Sequence, residues 1–205
     1  MRYDPAIHHR RTIRLQGYDY SQNGAYFITI CVQNRLCLFG EIMDGTMRLS
    51  DPGRMIEKWY HRLEQKFPQI QCDEFVCMPN HIHFIMENVG ADPCVRPDSG
   101  TQSIMENVGA DPCVRPDSGT LCDVVQWFKT MTTNEYIRGV KQDGWSAFSG
   151  KLWQRNYWEH IIRNETDLNH IRNYIQNNPV EWELDRLNPN IGDEYDSRGE
   201  PVWSS

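Results

Sequence analysis

Two histidines separated by one apolar residue, His81-Ile82-His83, sit between Met78-Pro79-Asn80 and the apolar run Phe84-Ile85-Met86. Residues two apart on a strand point to the same face, so both imidazoles can approach one ion, and imidazole is a common metal ligand. The same spacing also describes a solvated or hydrogen-bonded strand face. Tyr174 and Asn178 are one helical turn apart, which stacks their side chains on one face of a helix. Tyr174 lies at the margin of the stripe Leu168, Ile171 and Ile175; a phenol there is either a packing tyrosine with a bonded hydroxyl or an oxygen nucleophile. Pro179 puts Asn178 at the end of that helix. The stretch from Trp153 to Arg163 interleaves Trp153, Tyr157 and Trp158 with Arg155 and Arg163. Such a strip can stack bases and hold phosphates, or its aromatics can serve a core. Arg10, Arg11 and Arg14 form a basic arm that either contacts phosphate or is a solvated terminus.

These groups need a scaffold. Ala25 to Gln33 is β-branched and aromatic and reads as a buried strand after Asn23-Gly24. Ser50 to Phe67 reads as a helix, capped by Ser50 or Asp51, with Pro52 in its first turn and Met55, Ile56, Trp59, Leu63 and Phe67 at helical spacing. Glu74 to Met78 and Ile82 to Met86 form a hairpin through Pro79-Asn80, which carries the histidine pair. Leu121 to Val140 is a second helix, residues 157 to 162 a further strand, and Glu165 to Asn177 a third helix stopped by Pro179. Helices mixed with hairpins predict an α+β fold with an antiparallel sheet and helices packed on one face.

The segment MENVGADPCVRPDSGT at 86–101 recurs letter for letter at 105–120. Its Gly, Asp, Pro and Ser leave almost nothing to bury, which excludes a solenoid unit and predicts a surface insertion at about 87–120. One domain over 1–182 and an acidic tail over 183–205 are expected. With 39% hydrophobic and 24% charged residues the composition is that of a globular chain. The formal charge of -7 looks wrong for a nucleic-acid enzyme, but it is unevenly spread. Residues 181–205 hold seven acids against two bases, and 86–120 six against two, which leaves the rest slightly basic. That suits a grip on a few phosphates and disfavours broad duplex binding. The seven cysteines form no CxxC pair and are odd in number, so reduced thiols are expected. No apolar run is long enough to span a membrane, and the start Met1-Arg2-Tyr3-Asp4-Pro5 lacks the apolar stretch of a signal peptide; a cytoplasmic location is expected.

Taken together, RRTIRLQGYDYSQNGAYFITICVQNR, MPNHIHFIM and LWQRNYWEHIIRNETDLNHIRNYIQNNPVEW resemble the single-tyrosine HUH transposases, in particular their REP-associated tyrosine transposase branch (RAYT). The resemblance implies a ferredoxin-like core and maps the HUH pair onto His81 and His83, the catalytic tyrosine onto Tyr174, and the polar residue completing the metal site onto Asn178. It implies a divalent cation, Mg2+ or Mn2+, and cleavage and rejoining of single-stranded or hairpin-flanked DNA through a 5′-phosphotyrosine. Arg10, Arg11, Arg14, Arg155 and Arg163 are then expected to steady phosphates, with Trp153 and Tyr157 available for stacking. The chain is expected to act as a monomer or homodimer. Two alternatives stay open: a hairpin-binding protein on the same fold that does not cut, and a phosphoesterase that works through metal-bound water.

Overall fold

The computed structural model describes residues 22–90 and 120–190; the basic arm, most of the repeat and residues 191–205 lie outside them. The elements run β1 (Gly24–Cys31), β2 (Gly40–Met43), β3 (Thr46–Leu49), α1 (Asp51–Tyr60), α2 (Leu63–Lys66), β4 (Ile70–Cys77), β5 (His81–Asn88), α3 (Leu121–Gln142), β6 (Trp158–Ile162) and α4 (Glu165–Asn177), with 3-10 turns at Gln33–Arg35 and Trp182–Leu184. Four strands form one sheet in the order β4-β5-β1-β6, and each neighbouring pair is antiparallel. This is the α+β, ferredoxin-like arrangement expected from the sequence.

Alternation along the strands divides the sheet into two faces. Tyr26, Ile28 and Ile30 of β1 and Ile82, Phe84 and Met86 of β5 join Ile56 and Trp59 of α1 and Val124, Val125 and Phe128 of α3 in the main core. Phe27 of β1 and Ile85 of β5 point the other way and pack on Ile171 and Ile175 of α4. Two helices therefore share one face of the ferredoxin-like core, as expected, whereas α4, which follows the last strand, covers the other. His81, His83 and Thr29 follow the parity of Ile85 and Phe27, so the histidines lie on the α4 side.

Local chemistry accounts for most boundaries. The Ser50 hydroxyl accepts from Gly53 N at 3.3 Å and caps α1, and a Cβ on Gly53 would lie 2.2 Å from the Phe39 carbonyl oxygen, so only glycine allows that approach. The long helix expected over Ser50 to Phe67 breaks after Tyr60: Arg62 N donates to Trp59 O, a tightened turn that redirects the chain so that Leu63 and Phe67 still reach the core. The hairpin of β2 and β3 is not among the expected elements, although Asp44-Gly45 carries its signal: both residues have positive φ, 51° and 70°, as a type I′ turn requires. Thr120, the last residue of the second repeat copy, caps α3 in a reciprocal box with Asp123. Of residues 183–190, where the acidic tail is expected to begin, Asn188 is buried and its Nδ2 donates to Trp182 O at 3.0 Å.

Candidate metal and tyrosine site

The site grows from the β1–β5 pairing. Thr29 stands opposite His83 and Cys31 opposite His81. Both histidines are almost wholly buried, and their ring centroids are 4.5 Å apart. Each Nδ1 is engaged, that of His83 with Thr29 Oγ1 at 2.8 Å and that of His81 with Asn80 Oδ1 at 2.8 Å. Both Nε2 atoms therefore face the pocket.

The helix α4 closes the pocket from above. Asn164 caps its start by accepting from Asp167 N at 2.9 Å, and Ile171 and Ile175 anchor it. Arg172 and Gln176 tie its outer side to Asp73 and Glu74 at 2.8 Å each; those acids lie where the β4 register shifts between Cys72 and Phe75. Tyr174 is thereby brought edge-on to Phe27, with its hydroxyl 3.4 Å from His83 Nε2. Asn178, one turn on, is 2% exposed.

A fourth group joins these that the sequence does not announce. Past the 3-10 turn at Trp182–Leu184, Asp185 places Oδ2 3.6 Å from His81 Nε2, and suitable atoms of His81, His83 and Asp185 all lie within 4.8 Å of one another. Three buried atoms meet here with no hydrogen-bond partner: His81 Nε2, Asn178 Oδ1 and Asp185 Oδ2. All three can act as lone-pair donors. Buried polar atoms are rarely left unpaired, and acceptors that face one another without a proton repel. The arrangement fits a cation, and the mixture of imidazole, carboxylate and amide oxygen suits a divalent ion.

Electrostatics agree with that fit. Burial, reinforced by His83, holds His81 well below the usual imidazole range, and burial pushes His83 down to about 3, so both rings are neutral at pH 7 and can offer a lone pair. Asp185 is raised by burial, partly offset by the Leu187 N–H and Arg35. Tyr174 is raised by burial and then by the negative charge of Asp185, with Asn178 acting in the opposite sense.

The remaining expected residues divide. Trp153 is 4% exposed and its indole donates to Thr132 Oγ1 at 2.9 Å; it is a core residue between Phe39 and Phe128 and offers no stacking surface. Tyr157 is half-buried, with Lys129 Nζ 5.4 Å from its ring centroid. Arg155 and Arg163 are exposed on either side of β6. Lys129, which the sequence does not single out, donates to the carbonyls of Gln154, Arg155 and Asn156 at 3.0, 3.4 and 3.1 Å and so shapes the loop that bears Arg155. Arg10, Arg11 and Arg14 lie outside the described residues. Among the described residues no helix is long and apolar enough to cross a membrane, and the described cysteines are free thiols.

No protein-family model matches the chain. An uncharacterized protein of Haemophilus influenzae (strain Rd) is 39% identical over 191 residues, spanning 91% of this chain and 97% of that protein. The chain belongs to the same family. A second Haemophilus influenzae protein, "Putative REP-associated tyrosine transposase", is 22% identical over 165 residues, 79% of this chain and 73% of that one. Among solved structures, a REP-associated tyrosine transposase bound to a REP hairpin superposes with a TM-score of 0.50 at 18% identity, over 84% of this chain and 76% of the other. The chain is similar to the transposases in sequence and shares their fold.

Proposed function

We propose that this protein is a single-tyrosine HUH enzyme that cleaves and rejoins single-stranded or hairpin-flanked DNA, with Tyr174 as nucleophile and a divalent cation, Mg2+ or Mn2+, held by His81, His83 and Asn178. Asp185 adds a further oxygen donor from the segment after α4. One observation carries the reading: the Tyr174 hydroxyl lies 3.4 Å from His83 Nε2, beside three buried acceptor atoms that lack partners. The similarity to a REP-associated tyrosine transposase and to the fold of one bound to a REP hairpin supports DNA as the partner.

The bond from the Tyr174 oxygen to phosphorus forms as the bond to the 3′-oxygen breaks, and the phenolic proton ends on that oxygen. The products are a 5′-phosphotyrosine and a free 3′-hydroxyl, and a second 3′-hydroxyl can reverse the step without ATP. A bound divalent ion would polarise the scissile phosphate and neutralise the charge that builds on its oxygens. His81 and His83, neutral at pH 7, offer lone pairs without prior deprotonation. Burial and the negative charge of Asp185 raise the Tyr174 phenol, so the hydroxyl enters the step protonated and gives up its proton as the new bond forms. Phe27 holds the Tyr174 ring edge-on and limits the directions from which phosphorus can be attacked. Arg155 and Arg163 flank β6 as phosphate contacts, joined by the basic arm Arg10, Arg11 and Arg14, and the half-buried Tyr157 offers an edge for a base.

The test is a labelled hairpin oligonucleotide with a single-stranded flank, incubated with the protein and Mn2+. A covalent adduct that disappears in Tyr174→Phe is the expected result. Binding without an adduct would assign a non-cutting hairpin binder, and cleavage that persists in Tyr174→Phe but is lost in His81→Ala would assign hydrolysis by metal-bound water.

A further inference from the structure

The residue before the histidine pair is as fully engaged as the histidines are. Asn80 is 1% exposed, and its side chain uses all its hydrogen-bonding groups. Nδ2 donates to the carbonyl oxygens of Arg35 at 3.2 Å and Leu187 at 2.7 Å, while Oδ1 meets His81 Nδ1 at 2.8 Å. Asparagine oxygen and nitrogen are easily exchanged in a structure, but here the partners decide: two carbonyl oxygens can only accept, so the NH2 group must face them and Oδ1 must face His81. Oδ1 in turn can only accept. The His81 Nδ1 therefore carries the proton, and in the neutral ring Nε2 is left as a lone pair.

His83 has no such lock. Its Nδ1 partner is the Thr29 hydroxyl, which can donate or accept and so tolerates either tautomer. The asymmetry singles out Asn80 as the group that fixes one of the two histidines in advance.

The two carbonyls that hold Asn80 come from opposite directions. Arg35 ends the turn Gln33–Arg35, in which Asn34 and Arg35 both have positive φ, 59° and 53°, a conformation that such residues hold only when their surroundings enforce it. The Arg35 side chain crosses to the Arg186 carbonyl at 3.1 Å. Leu187 belongs to the segment that carries Asp185, and its N–H donates to Asp185 Oδ1 at 2.8 Å. A closed circuit results: His81 Nδ1 to Asn80, Asn80 to the Leu187 carbonyl, the Leu187 N–H to Asp185 Oδ1, and Asp185 Oδ2 back to within 3.6 Å of His81 Nε2. The three-residue stretch 185–187 thus governs both edges of one imidazole.

We propose that Asn80 is a positioning residue that fixes His81 as the Nδ1–H tautomer and makes that choice depend on the docking of residues 185–187, so that the ligand lone pair and the Asp185 carboxylate are presented together or not at all. The role in metal binding rests on the function proposed above, whereas the tautomer itself does not. Hydrogen-bond partners of this kind set ligand orientation, and their removal typically weakens metal binding about 10–100-fold.

The tautomer is read by 15N NMR of the histidine rings in metal-free protein at neutral pH. Wild-type His81 should show a pyrrole-like Nδ1 and a pyridine-like Nε2, and Asn80→Ala should average the two. A protonated Nε2 in the wild type, or an unchanged His81 in Asn80→Ala, would overturn the proposal. The wild-type spectrum decides even if the variant does not fold. Calorimetry with Mn2+ alone then reads the coupling: Asn80→Ala should bind at least about tenfold more weakly, and equal affinity would remove the positioning role. Failure of the wild type to bind Mn2+ would strike the metal reading, while the tautomer would still stand or fall on the NMR spectrum.

Discussion

The Tyr174 hydroxyl reaches His83 Nε2 at 3.4 Å within a single chain, across 91 residues of sequence. Only Arg163 and Asn164 separate β6 from α4, and the helix lies over the sheet of its own chain, anchored by Ile171 and Ile175 and tied to β4 by Arg172 and Gln176. A tyrosine and two histidines of the same chain thus share one site. Mixing Tyr174→Phe with His83→Ala should give no more DNA adduct than either alone, because neither chain holds both groups. Recovery of adduct in the mixture would mean that the helix exchanges between chains.

Asp185 should have opposite effects on the metal-free and metal-bound protein. Its Oδ2 lies 3.6 Å from His81 Nε2, and neither atom has a hydrogen-bond partner, which with the tautomer proposed above sets two acceptors against each other. In Asp185→Asn an amide N–H can point at that nitrogen and turn an unfavourable contact into a hydrogen bond. Without metal the variant should gain about 1 kcal/mol, roughly 2–4 °C in Tm. Its Mn2+ affinity should fall about tenfold or more as a charged donor is lost. Thermal unfolding with and without Mn2+ reads both; a variant destabilised in metal-free buffer would refute the unpaired-acceptor description.

Acid should destabilise the metal-free protein earlier than carboxylate titration alone would. The His83 ring is neutral in the folded state down to about 3 but takes up a proton near 6.5 when unfolded, and His81 is shifted in the same direction. Across that window the unfolded chain binds more protons, so stability is fully present above about pH 6.5 and declines as pH falls toward 3. Asp185, raised above its ordinary 3.8, acts with the opposite sign: its contribution is present below 3.8 and lost as pH rises through its folded value. The histidines dominate between about pH 6.5 and 5. Tm measured over that interval should slope downward with acid, and His83→Ala should flatten the slope; an equal slope in the variant would sink the assignment.

Trp153 and Arg155 are two residues apart and should behave differently. The first is enclosed by Phe39, Phe128 and Thr132, so Trp153→Ala should cost about 3–5 kcal/mol of stability and affect DNA binding only through unfolding. The second is exposed on the loop held by Lys129. Arg155→Ala should keep stability within about 0.5 kcal/mol while weakening hairpin binding and lowering its salt dependence. Chemical denaturation and a salt titration of binding separate the two.

The pairing of His81 with His83 follows from the two-residue period of a strand, and Tyr174 above Asn178 from the helical turn; both periods are local, and both are legible in the sequence. Asn164 and Pro179 bracket α4, whose observed limits match expectation. Asp185 is not legible, because its approach to His81 depends on a 3-10 turn at Trp182–Leu184 and on contacts with Asn80 that no spacing rule encodes. Trp153 misleads for a related reason: an indole among arginines looks like a stacking surface until the tertiary fold supplies Thr132 as the partner for its N–H. The break after Tyr60 carries no proline or glycine, and the position of α4 on the far face depends on which parity of β1 and β5 packs against it.

The two ends of the duplicated segment both take part in the described fold. Met86 and Asn88, from the first copy, are buried at the end of β5, and Thr120, from the second, caps α3. Each copy contains both ends: removal of one 19-residue period, residues 87–105, rejoins Met86 to a second Glu-Asn-Val-Gly-Ala and keeps a threonine before Leu121. The shortened chain thus retains the counterparts of every described buried residue and the cap. Cutting the β5–α3 connection to somewhat under half its length changes closure entropy by roughly 0.8 kcal/mol, so the deletion should shift Tm by no more than about 3 °C. Thr120→Ala in the shortened chain should then cost about 1 kcal/mol as it does in the full one. A deletion that unfolds the protein would show that the repeat contributes contacts of its own.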